Sequence, residues 1–124
     1  KKPMNLKLVF KVSAAILAIN GIMALFLTTN FFEMAAFEVT PSLVTFGQFV
    51  GVTFLAMSLI AWKTPDLVID ALPGFGQVYA ITQGMWAVII IYHIAIGAAG
   101  GPTAIANAGI SVVFSLLFFF YSRK

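Results

Sequence analysis

The chain has 124 residues, of which 61% are hydrophobic and only 9% charged, with a net charge of +3. A soluble domain averages roughly a quarter charged residues, so composition excludes an ordinary water-soluble protein and favours one domain solvated by a bilayer. There is no cysteine, which removes disulfides, thiolate metal sites and cysteine nucleophiles.

The positive charge does not mark a nucleic-acid binder. Lys1, Lys2, Lys7 and Lys11 precede the first hydrophobic stretch, Lys63 follows the second, and Arg123 and Lys124 follow the fourth. None falls in 30–41 or 98–103. By the positive-inside rule this predicts four membrane spans with both termini on one cytoplasmic or stromal side. Basic residues at span ends meet anionic headgroups, and no basic stripe with interleaved aromatics is present for phosphate contacts. The expected partners are therefore membrane lipids and other integral-membrane subunits. The expected location is a bacterial inner membrane or an organelle or thylakoid membrane.

The first span is predicted over about 8–29, with Lys7 and Lys11 snorkelling from its first turn and Asn20-Gly21 near its middle. The chain does not begin with methionine, which fits either a removed presequence or a start at Met4. Next, Asn30 to Val39 reads as a short interfacial helix. Phe31, Phe32, Met34 and Phe37 are expected in the headgroup layer, with Glu33 and Glu38 facing water.

The second span is predicted over about 42–62. Thr40-Pro41 supplies a hydroxyl cap followed by proline at the first helical position, and Trp62-Lys63 makes an interfacial exit. Thr64-Pro65-Asp66 then resembles a helix start, so 64–72 is expected to be a second interfacial helix with Asp66 and Asp70 on one face. The third span is predicted over about 75–97 after Pro73-Gly74, and the fourth over about 102–121 after Gly100-Gly101. Each is about 30 Å long at about 1.5 Å per residue, the thickness of a hydrocarbon core.

Unpaired backbone groups in lipid cost several kcal/mol, so continuous apolar runs of this length demand helices rather than a barrel. The fold class is all-α, a four-helix transmembrane bundle with two short interfacial helices. Small residues four apart mark expected contacts: Ala14 and Ala18, Gly47 and Gly51, Gly76 with Ala80 and Gly84, Ala104 and Ala108, Ser111 and Ser115. Of the consecutive Phe118, Phe119 and Phe120, at least one must face away from the bundle.

His93 is the sole histidine and lies inside the third span, roughly 9 Å from the midplane at about 1.5 Å per residue. An ionisable group at such depth is a functional hypothesis. Helical spacing puts it on one face with Thr82, Trp86, Ile89 and Gly97. Three roles are open. It is a packing residue bonded to a carbonyl or to Asn107; or an axial ligand to a chlorophyll, with Gly97 leaving room for the ring; or part of a quinone or proton-linked site near Glu33 or Glu38. Asn20, Gln48, Gln83 and Asn107 are the other notable polar groups, expected to hydrogen-bond across helices.

The candidate cofactor-binding set is His93, Trp86, Gly97, Asn20 and Gln83, for a chlorophyll or carotenoid, or a quinone. No catalytic residue is nominated, since nucleophile–base pairs, H-E-x-x-H, P-loop and dinucleotide motifs are all absent. Two functions follow as expectations. The leading one is a non-catalytic accessory subunit of a photosynthetic or respiratory membrane complex. The alternative is a quinone-linked redox helper or oligomeric carrier, whose mark would be one cavity shared by Asn20, Gln83 and His93.

Taken together, Asn20-Gly21, the Phe-rich acidic connection ending at Pro41, the stretch from Gln48 to Gly51, and Ala61-Trp62 before a Pro-Asp connection resemble the small four-helix membrane proteins grouped as DoxX-like. The resemblance implies the fold and carries over no functional residue.

Overall fold

A computed structural model describes residues 2–123, with side chains from Leu6 onward. Lys1, Lys124 and the side chain of Lys2 lie outside what is described. The described chain is helical throughout, with no strand: α1 (Lys2–Phe26), α2 (Thr28–Glu33), α3 (Pro41–Leu67), α4 (Leu72–Ala95) and α5 (Gly101–Ser122). All but α2 are long and apolar enough to cross a membrane.

The helices form two tight pairs, α1 with α3 and α4 with α5, joined mainly along α1 and α5. Small residues set both pairings, as their spacing predicts. A Cβ on Gly51 would come 2.7 Å from the Leu25 backbone nitrogen and 2.9 Å from the Gly21 carbonyl oxygen, so the α1 and α3 backbones touch there. Ser58 Oγ donates across the same seam to the Ala14 carbonyl at 2.6 Å. In the other pair Ser115 Oγ donates to the Ala80 carbonyl at 2.8 Å. In an apolar solvent, close packing and such bonds replace the hydrophobic drive.

We call the end that gathers the starts of α1 and α4 and the ends of α3 and α5 the inner end. There the two pairs close on each other. Gly76 of α4 leaves room for Leu6 and Ser122. Phe10 packs edge-on against Tyr79 at 4.7 Å and against Phe118 at 4.9 Å between ring centroids. Leu6, Val9, Leu72 and Phe114 complete this core. Phe118 is fully buried while Phe119 and Phe120 face outward. Arg123 stacks over both exposed rings. Lys11 donates to the Trp62 carbonyl and to Asp66, and Lys7 reaches the same carboxylate at 3.2 Å.

Two expected elements differ. Residues 64–72 are not a second interfacial helix, because α3 continues through Pro65 to Leu67 and only a turn precedes α4. Proline removes one helical donor, but the Thr64 hydroxyl turns back to the Ile60 carbonyl, and Asp66 is held by the two lysines of α1. Asp66 and Asp70 therefore do not share a helix face. At about 1.5 Å per residue, α3 is about 40 Å long, more than the roughly 30 Å thickness of a hydrocarbon core.

The first connection also differs. The helix is Thr28–Glu33, earlier than expected, and it folds back over the outer end of the bundle. Leu27 breaks the helix, and Thr28 bonds back to Ala24. Phe31 and Phe32 are then buried against Ala24. Gly47 makes this possible, since a Cβ there would meet both Phe32 and Thr28. Met34, Phe37, Glu33 and Glu38 remain exposed.

Candidate functional site

Closing the pairs at one end leaves them apart at the other. Between them lies a cavity of about 490 Å³. That falls within the range of about 300–1,000 Å³ typical of small-molecule pockets. Its floor is the inner core, at Tyr79 and Phe114. Its roof is α2 and the turn after it, with Phe31, Phe32 and Ala35, together with Ala98 and Ala99 of the α4–α5 loop.

The roof is latched by backbone. Gly100 N donates to the Ala35 carbonyl at 3.0 Å and Thr103 N to the Met34 carbonyl at 3.1 Å. Gly101 has φ +74°, and a Cβ there would fall 2.5 Å from the Met34 oxygen, so only glycine fits both the turn and the latch. Ala36 itself adopts φ 66°, a left-handed turn that an L side chain occupies at a cost of about 1–2 kcal/mol.

Asn20, Gln83, Trp86 and His93 all line this cavity, together with Thr82 and Ile89 from the predicted α4 face. Gly97 does not. It caps the end of α4 at φ +80° with open space around its Cα, and its amide donates to the Ile94 carbonyl. Glu33 and Glu38 do not reach the cavity either.

The polar groups form a ladder from mid-depth to the outer end. Asn20 of α1 and Asn107 of α5 each lie about 9 Å from the outer end of their helices, at about 1.5 Å per residue. His93 sits near the outer end of α4, and Gln83 lies roughly 15 Å below it by the same rise. The expected hydrogen bonds across helices are not what these amides make. Asn20 donates to Ile16 of its own helix at 3.3 Å, Asn107 donates to Thr103 at 3.0 Å, and Gln48 is exposed on the outer face. The serines take the bridging role instead, because a short hydroxyl reaches a neighbouring carbonyl only where backbones are close.

Each asparagine keeps an oxygen and a second N–H available. Neither Gln83 nor His93 bonds to another described residue through its side chain; the His93 ring meets Tyr92 edge-on at 5.2 Å. No described side-chain nitrogen or oxygen is sealed away without a partner, so the free groups of Gln83 and His93 open onto the cavity space. Aromatic walls with a few convergent hydrogen-bonding tips are suited to binding and orienting an apolar molecule that carries carbonyl or hydroxyl groups.

Sequence reasoning missed Phe54 of α3, which meets Trp86 edge-on at 5.7 Å across the cavity's edge, and it missed the roof phenylalanines. Gly47, a bare position facing the Phe-rich connection, was the available signal for the roof. Comparison with family models, with curated proteins and with solved structures returns no match, so the meaning of the site rests on its own geometry.

Proposed function

We propose that the protein is a multi-pass membrane protein that binds a lipophilic small molecule with a carbonyl head, of the quinone class, as a redox helper or carrier. Its inner end, with Lys7, Lys11, Lys63 and Arg123, faces the cytoplasm or stroma under the positive-inside rule. The observation that carries the reading is the convergence of Asn20, Gln83, Trp86 and His93, from two separate helices, on one apolar cavity. Amide N–H and imidazole N–H groups donate to carbonyl oxygens, and the flat walls of Trp86 and Phe54 suit a flat ring.

The test uses Trp86 as reporter. In a Trp62→Phe background it is the sole tryptophan. Titration with a tailless benzoquinone in lipid nanodiscs should quench it saturably. Replacing both His93 and Asn20 with leucine should weaken the binding by roughly tenfold or more, about 1.4 kcal/mol. An unchanged affinity in that double variant would remove the reading.

A second reading, an accessory subunit of a larger membrane complex, is supported by the outward Phe46 and Phe49 on α3 and Phe119 and Phe120 on α5. It requires integral-membrane partners to co-purify under mild detergent, and a lone monomer in native membranes counts against it.

A further inference from the structure

The sides of the cavity are closed to different degrees. The α1–α3 side is closed at Gly21, Gly51 and Ser58, and the α4–α5 side at Ala80 and Ser115. Along the α1–α5 side the helices pack, with Phe10 against Phe118 below the cavity floor, and α2 roofs the outer end. By contrast, α3 and α4 do not pack along their lengths. Their seam is bridged by the edge-on contact of Phe54 and Trp86. Trp86 and Ile89 line the cavity and are 40% and 46% exposed.

Resting on the reading of the cavity as a ligand site, we propose that its ligand is a tailed amphiphile that enters sideways from the bilayer between α3 and α4, parting Phe54 from Trp86. The head lies against Asn20, Asn107 and His93, and the tail trails out through the seam into lipid.

Position and size both support this route. Phe54 lies midway along α3 and Trp86 close to the middle of α4, so the seam opens at the depth of acyl chains. A water-soluble ligand meets no polar path at that depth. Asn20, Asn107 and His93 lie toward the outer end and Gln83 at mid-depth, so a head held by the first three points outward with its tail toward the mid-depth seam. A volume of about 490 Å³ accommodates a substituted ring, whereas a long isoprenoid or acyl chain outgrows it and needs an exit. Parting the two rings breaks little else, because α3 and α4 scarcely pack against each other.

The natural absence of cysteine makes the seam addressable. In the Trp62→Phe background, Val50→Cys and Ile89→Cys place thiols on opposite lips, to be joined by a short linker that can be cut chemically. Two probes are compared: a benzoquinone ring alone, and the same ring carrying a long isoprenoid tail. Before linking, both should quench Trp86, the tailed one more tightly. Linking should slow association of the tailed probe by roughly tenfold or more, and cutting the linker should restore it, which excludes misfolding as the cause. Phe54→Ala, with no linker, should speed association several-fold.

If the linked protein takes up the tailed probe at the unlinked rate while both probes bind, entry through the seam is wrong and the cavity reading survives. If the bare ring binds saturably but the tail adds nothing, the ligand is not a tailed amphiphile. If neither probe quenches saturably, the ligand-binding reading falls and this inference falls with it.

Discussion

The two ends of this bundle are built from the same four helices with opposite results. At the inner end Phe10 and Phe118 are 0% exposed, interlocked with Tyr79, and ringed by Leu6, Leu72 and Phe114. At the outer end, rings of the same kind line a void and are held under a six-residue helix latched by two backbone hydrogen bonds. The inner end fixes the frame and the outer end is left adaptable. Binding sites are commonly drawn from the less stable part of a fold, and here the division runs along the bundle axis.

Substitutions can break or sharpen that contrast. The largest effect is expected from Phe10→Ala, which empties the closed end and should destabilise by about 3–5 kcal/mol, against less than about 1 kcal/mol for Phe37→Ala beside the roof, where the ring is 41% exposed. Unfolding titrations in mixed micelles compare the two directly. Equal losses would mean that both ends are equally packed.

Next in size is Gly101→Ala, which forces a Cβ toward the Met34 carbonyl at a left-handed position and should cost about 1–3 kcal/mol. Its signature is local. Amide exchange at Gly100 and Thr103 should accelerate while the amides of the inner core stay protected. Uniform acceleration would show that roof and core open as one unit. Smallest is Ser58→Ala, which removes the bond to Ala14 and should cost about 0.6–2 kcal/mol, with ligand binding unaltered because the hydroxyl faces the α1–α3 seam.

Legibility from sequence followed the clarity of local signals. The fourth span, expected over about 102–121, is found at Gly101–Ser122, because Gly100-Gly101-Pro102 can start a helix but not continue one. The cap at Thr40 is also as expected, its hydroxyl accepting from Leu43 N. The end of α3 was misread because Thr-Pro-Asp is ambiguous in isolation. Tertiary partners, the Ile60 carbonyl and the lysines of α1, decided in favour of continuation.

In the site, the helical face of His93 placed Thr82, Trp86 and Ile89 correctly, since periodicity survives any packing arrangement. Gly97 fell off that face because α4 ends at Ala95, two residues before it. Phe54 was illegible for a different reason. Which helix stands opposite Trp86 is a property of the bundle, and no single span encodes it.

The latch between the turn after α2 and the α4–α5 loop joins residues far apart along the chain, Met34 and Ala35 to Gly100 and Thr103. During synthesis the roof segment leaves the ribosome long before its anchoring points exist. The roof can therefore be fastened only after most of the chain has been made. Phe31 and Phe32, by contrast, find their seat on Ala24, Val39 and Leu43 as soon as α1 and α3 have paired.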